Sequence, residues 1–338
     1  MMTLNAVWFV LIAILFSGFF LLEGFDFGVG ILLPMLGKKD EDRRLLINSI
    51  GPFWDANEVW FLTAGGAMFA AFPNWYATLF SGFYLALFLL LVALIGRGVA
   101  FEFRSKLGTP RWRKTWDWVI FAGSLLPPLL LGVALANMMK GVPIDSHMNY
   151  VGNFFNLIST YSVVGGLSMV VLFVLHGAIF LTLRTTGDLR EKARNAAVYA
   201  GELTTAVLII FIVLSYFDTD MFSKAGIDPG AVPILAGLAL LSVRFFIKSK
   251  RDGWAFVMTA LTIIFSSATV FMDLFPRVMV SSLNKHWSLT VYNAASNPYS
   301  LKVMTIVAVS VVPIVLAYQA WSYWVFRKRL QPTDHMDY

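Results

Sequence analysis

Nine long apolar stretches separated by short polar loops leave this chain few ways to fold. They run over about 6–34, 50–72, 75–100, 116–138, 158–183, 197–216, 231–247, 254–275 and 303–326. At about 1.5 Å per residue, each is long enough as a helix to cross a hydrocarbon core of ~30 Å. The 338 residues are 58% hydrophobic and only 14% charged, more apolar surface than a soluble domain can hide. A membrane β-barrel needs short alternating segments instead of continuous runs. We therefore expect an all-α polytopic membrane protein, one membrane-embedded domain over 1–338 with no soluble domain. Its helices would form two four-helix bundles plus one peripheral helix, since the first and fifth both run inward and carry polar residues in their inner halves. No strong internal repeat accompanies that grouping. Pro34 to Gly37 should stop the first helix, Pro52 open the second, and Phe72-Pro73 end it.

Charge sorts the loops. Lys38 to Arg44, Arg104 to Lys114, Arg184 to Arg194, Arg244 to Arg251 and Arg327 to Arg329 hold 20 of the 26 Lys and Arg residues and fall on one side. Lys140, Lys224, Arg277, Lys285 and Lys302 fall on the other. Positive residues stay inside, so the N-terminus is expected outside and the C-terminus in the cytoplasm. The formal net charge of +6 thus reflects membrane topology and anionic lipid; nucleic acid is not an expected partner. The chain has no cysteine, which excludes disulfides and thiolate metal sites, and no metal site is expected. The N-terminus lacks the basic start of a cleaved signal peptide.

Charged residues inside the apolar runs carry the functional signal. Glu23 and Asp26 lie one helical turn apart in the first run. A carboxylate there costs roughly 2.5–3.5 kcal/mol on insertion scales unless it faces protein, water or a partner charge. With the expected topology, Asp26 sits about 12 Å from the inner helix end, and Asp55 about 8 Å in with Glu58 one turn deeper on the same face. Arg97 arrives at a similar level, with Glu102 at the edge. His176 and Glu202 form a possible second polar cluster, and Asp273 stands apart near the outer side. One reading is structural: Arg97 is the buried charge partner of one acid, and Trp, Asn and Ser neighbours satisfy the rest. The other is a proton path through Asp55, Glu58, Asp26 and Glu23, because four acids against one base leave a partly protonated excess. Glu23 is expected deepest, with a structural partner. His176 reads as a hydrogen-bonded packing residue before a ligand, while His147, His286 and His335 fall in loops or the tail. Gly24, Gly28, Gly30 and Gly65-Gly66 should permit close helix contact. Pro127-Pro128 should kink the fourth helix, which is compatible with the broken helix of a proton- or cation-coupled secondary transporter.

Taken together, these motifs resemble subunit II of the cytochrome bd-type quinol oxidases. The segments that carry the resemblance are Leu22-Glu-Gly-Phe-Asp-Phe-Gly-Val-Gly30, Gly51-Pro-Phe-Trp-Asp-Ala-Asn-Glu-Val-Trp60, Thr63-Ala-Gly-Gly66 with Phe69-Ala-Ala-Phe-Pro73, and Gly96-Arg-Gly98. Phe275-Pro-Arg277 and Asn293-Ala-Ala-Ser-Asn-Pro-Tyr299 continue it, so it covers essentially the whole chain. The resemblance implies a bacterial inner-membrane heterodimer with a similarly folded subunit I. That partner would carry haem b and haem d, oxidise quinol and reduce dioxygen to water, generating proton-motive force. This chain would not be the main haem-ligating one and would not be catalytic alone. By motif, Trp54-Asp55 matches a pair implicated in a cytoplasmic proton path, and Asp26 and Arg97 match the other buried charges. Whether a small single-helix subunit joins the complex, and whether the quinol is menaquinol or ubiquinol, stays open at this point.

Overall fold

A computed structural model describes residues 3–222 and 230–331. Lys224 and His335 lie outside the described residues. The first helix, α1 (Leu4–Leu36), is the hub: α3 (Trp54–Ala71), α6 (Pro110–Lys140), α7 (Thr160–Arg184) and α10 (Asp252–Leu274) all pack on it. Its glycines make that possible. A Cβ on Gly28 would lie 2.0 Å from the Phe173 carbonyl oxygen of α7, and one on Gly30 would lie 1.9 Å from Ser124 Oγ of α6. Only hydrogen fits at either place, and the backbones close on each other. Thr3 caps the helix through Ala6 N, and α1 runs through Pro34 before Gly37 ends it.

The remaining helices are α2 (Asp40–Ile50), α4 (Pro73–Gly82), α5 (Tyr84–Phe103), α8 (Gly187–Asp218), α9 (Val232–Lys248) and α11 (Pro298–Val325), giving eleven among the described residues. Seven are long and apolar enough to cross a membrane: α1, α5, α6, α7, α8, α10 and α11. The expected span at 50–72 corresponds to α3, whose first turns carry Asp55, Asn57 and Glu58, and the one at 231–247 to α9, of 17 residues. The single helix expected over 75–100 is instead two, α4 and α5, parted at Phe83. The loop between α6 and α7 packs against that break. Thr78 donates to the Met148 carbonyl at 2.5 Å, and Gly82 lies flush against the Tyr150 ring. With ten residues, α4 is about 15 Å long and does not span alone.

Also unforeseen is α2, in what reads as a basic loop. Asp40, Glu41 and Asp42 occupy its first turn, favourable at the positive end of the helix dipole, while Leu45, Leu46, Ile47 and Ile50 bury its apolar face. α6 continues through Pro127-Pro128 as one helix.

Three apolar layers fill the interior. Phe25, Leu46, Phe53 and Phe180 belong to the layer at the basic end. Phe19, Phe27, Leu90 and Phe173 form the middle one, and Phe9, Phe72, Trp75 and Phe271 the opposite one. There the chain caps itself with a two-stranded antiparallel ribbon, β1 (Arg277–Met279) and β2 (Leu289–Thr290). Asn297 then caps α11 by accepting from Ser300 N at 2.9 Å, with Pro298 in the first turn.

At the basic end, ion pairs lock the loops. Asp117 accepts from Arg43 at 2.7 Å and from Arg104 Nε at 2.6 Å, and Asp40 accepts from Arg104 at 2.8 Å and Arg113 at 2.7 Å. Burial alone would lower the Arg104 guanidinium, but the hydrogen bonds and charges of Asp117 and Asp40 outweigh it and hold Arg104 above its usual range.

Candidate functional site: a buried charge cluster beside a lateral groove

Glu23 and Asp26 project from α1 three residues apart, and neither side chain is exposed to solvent. Arg97 of α5 meets them, also fully buried. Its Nη1 is hydrogen-bonded to Glu23 Oε1 and stands 3.9 Å from Glu58 Oε2 of α3. The guanidinium carbon lies 4.7 Å from the centre of the Phe27 ring and 5.2 Å from that of Phe101, a stacking geometry that ammonium does not reproduce. One cation thus joins α1, α3 and α5 through two carboxylates.

Asp26 is held differently. Its Oδ2 accepts from Asn57 Nδ2 at 2.7 Å. Asn57 Oδ1 in turn accepts from Tyr323 Oη at 2.8 Å and from Gln319 Nε2 at 3.2 Å, both on α11. Gln319 Oε1 closes the chain by accepting from Trp60 Nε1 at 2.8 Å. The sequence reading expects Asn neighbours to satisfy the acids but singles out neither Asn57 nor Gln319 and Tyr323 of α11. The available signal was a neutral polar side chain inside an apolar helix: Gln319 and Leu301 are the buried positions described in α11.

Asp55 stands outside this knot, exposed at the start of α3. With Glu58 it lines a cavity of about 750 Å³ between α3 and α5, whose walls are otherwise apolar, among them Leu87, Leu91, Gly65 and Gly66. Gly65 and Gly66, expected to make close helix contacts, meet nothing within 4 Å; they face this groove, and the close contacts belong to Gly24, Gly28 and Gly30. Among the described residues no donor group meets Glu23 Oε2 or Asp26 Oδ1, and no acceptor meets Arg97 Nε or Nη2. Buried polar atoms of that kind are costly unless water, a proton or a partner chain meets them.

His176 and Glu202 have separate surroundings. Buried His176 donates from Nε2 to the Leu21 carbonyl at 3.1 Å, has Nδ1 2.7 Å from Thr259 Oγ1, and stacks on Phe256 at 4.6 Å. Glu202 is half-exposed on α8 and pairs with Arg244 of α9 at 2.8 Å. Buried Asp273 lies on α10 near the ribbon, apart from the α1–α3–α5 cluster. Among the described residues no group of three or more His, Cys, Asp or Glu side chains is placed to hold a metal ion.

The profile of the family described as cytochrome bd terminal oxidase subunit II matches residues 4–326. The chain belongs to that family. It is 48% identical over 338 residues to cytochrome bd ubiquinol oxidase subunit 2 of Bacillus subtilis (strain 168), covering all of both chains. It is 39% identical over 364 aligned positions to cytochrome bd-I ubiquinol oxidase subunit 2 of Escherichia coli (strain K12), covering 98% of this chain and 96% of that one. Its fold is that of a chain in the structure of bd oxidase from Geobacillus thermodenitrificans, with a TM-score of 0.80 at 16% identity over 96% of this chain and 99% of the other. A cytochrome implies haem, and the imidazoles described in this subunit II do not fit one. Both ring nitrogens of His176 are engaged and its face is covered by Phe256, whereas His147 lies in a loop and His286 in a single 3-10 turn, both outside the long helices.

Proposed function

We propose that this subunit II pairs with a haem-bearing subunit I as the core of a quinol-oxidising terminal oxidase, and that its own contribution is a proton path from the basic face to the buried cluster. On this reading the chain is a single nine-span domain. α3 and α9 cross alongside the seven long helices, and α1, α3, α5 and α6 form one bundle. α7 to α10 form the second, and α11 lies at the edge. The N-terminus is outside and the basic loops are cytoplasmic. Haem b and haem d sit on subunit I, and the subunit composition of the purified complex decides whether a small single-helix subunit joins them.

Reducing dioxygen to water consumes one proton per electron, and chemistry buried in a membrane needs a conduit for them. The observation that carries the reading is the succession of carboxylates from groove to interior. Asp55 and Glu58 line one cavity, and Glu58 is 3.9 Å from the guanidinium that also binds Glu23. Asp26 follows three residues along α1. Water between these groups would serve the orphaned oxygens of Glu23 and Asp26 and relay protons among them. Quinol oxidised toward the outer face would release its protons there, so charge separates without any transported ion.

Exposed apolar residues support the partnership. Val59, Leu62 and Phe69 on α3 and Leu91 and Ile95 on α5 flank the groove, and the most apolar stretch of α11 is only 6% buried within the chain. The transporter alternative rested partly on a broken fourth helix, and α6 is continuous. Purification from native membranes tests the reading. The chain should co-isolate with a second membrane subunit and haem chromophores, with quinol-dependent oxygen uptake. A colourless chain that stays alone and catalyses solute uptake would overturn it.

A further inference from the structure

At the basic end a second cavity, of about 440 Å³, opens among three segments that the proton path does not use. They are the last turn of α7 with the first turn of α8, the turn from α9 into the start of α10, and the chain just past α11. Among the described residues four basic side chains line it, Arg190, Lys250, Arg251 and Arg329, against one carboxylate, Asp252. That carboxylate is already taken. Asp252 accepts from Arg190 at 2.7 Å and from Arg194 at 2.8 and 3.2 Å, and is itself buried. Lys250, Arg251 and Arg329 therefore add their charge to a saturated pair.

The third segment is anchored there. Leu330 N donates to the Arg184 carbonyl at 2.7 Å, Arg184 Nη1 donates to the Lys328 carbonyl at 2.5 Å, and Arg329 Nη1 donates to the Thr185 carbonyl at 3.2 Å. These bonds fix Arg329 at the cavity although the segment is no longer helical. The cavity also contains the opening turn of α10, Asp252 to Trp254, where helix amides lack an intrahelical acceptor and favour an anion. Burial, then the neighbouring Arg190 and Arg194 guanidiniums, push Arg329 below the usual guanidinium range despite Asp252. Trp254, largely exposed beside them, is the residue type that settles at headgroup depth.

We infer that this cavity binds a phosphate group, through Lys250, Arg251 and Arg329 at the amino end of α10. The ligand class is a phosphate monoester or diester, carried either by an anionic lipid headgroup or by a soluble compound. Guanidinium forks match phosphate oxygens in pairs, and basic pockets between membrane helices favour such headgroups. The inference does not depend on the proton path.

The test is calorimetric titration of the purified, assembled complex. Dihexanoyl phosphatidylglycerol, dihexanoyl phosphatidylcholine and inorganic phosphate are the probes, each repeated on Lys250→Gln/Arg251→Gln and on Arg329→Gln. These changes spare the Arg190–Asp252–Arg194 lock, and an unaltered haem spectrum in each variant verifies assembly. Phosphatidylglycerol should bind, phosphatidylcholine should not, and affinity should fall about fivefold per charge removed. Should inorganic phosphate bind as tightly as phosphatidylglycerol and show the same losses, the site holds a soluble phosphate and the inference stands. Equal binding of the two lipids, or wild-type affinity for both anions in the assembled variants, would overturn it.

Discussion

Asn57 donates a 2.7 Å hydrogen bond to Asp26, tying the one carboxylate of the cluster that Arg97 does not bind to a polar chain reaching α11. An asparagine can do this because its two ends differ. The amide nitrogen serves the acid while the oxygen accepts from Tyr323 and Gln319. Asn57→Ala should leave Asp26 and two α11 donors unmet at once, costing about 1–3 kcal/mol per group left unsatisfied. The thermal unfolding midpoint of the purified complex should fall, and α11 should become more protease-sensitive. An unchanged midpoint would mean that these bonds do not hold α11 in place.

Among the described residues Arg97 is the cation that pairs with Glu23 in the α1–α3–α5 cluster. Arg97→Leu strips Glu23 of its partner in a low-dielectric interior, and breaking a buried pair in this way costs about 3–5 kcal/mol. Complex yield and haem content should collapse. Arg97→Lys should recover part of both, since it restores charge without the forked donor or the stacking on Phe27 and Phe101. Normal yield in Arg97→Leu would remove Arg97 from this role.

Gly28 and Gly65 make a paired comparison. Gly28→Ala forces a methyl group to within 2.0 Å of the Phe173 carbonyl, so α1 and α7 must part, at about 1–3 kcal/mol. Gly65→Ala meets nothing within 4 Å and should leave the fold unaffected. Yield and monodispersity by size-exclusion chromatography should fall for the first and hold for the second. Equal behaviour would contradict the α1–α7 crossing described here.

How legible all this was depended on charge. Glu23, Asp26, Glu58 and Arg97 announced themselves because an ionisable group in an apolar run demands a reason. Asn57, Gln319 and Tyr323 did not, because a neutral polar residue is cheap enough to pass as packing. The helix α2 was hidden by its own charges: Lys39 to Arg44 reads as a loop, and only docking of Leu46 and Ile50 makes it a helix. The break at Phe83 follows Ser81-Gly82, a weak local signal for a helix end that the apolar residues on either side outweigh; Met148 and Tyr150, from a loop some seventy residues away, pack against it. The Asp252 lock and its surrounding cations likewise join turns far apart in the chain.

The proton path through Asp55 is tested most directly by Asp55→Asn in the assembled complex. The substitution keeps size and most hydrogen bonding, and Asp55 touches none of the buried pairs, so haem content and subunit stoichiometry should stay near wild type. Quinol-driven oxygen uptake, measured with proton uptake in vesicles, should nevertheless fall about tenfold or more, whereas Glu23→Gln, made in parallel, removes the counter-charge of buried Arg97 and should lower complex yield as well as turnover. Full turnover with normal charge separation in Asp55→Asn would contradict the account and place proton uptake elsewhere in the complex.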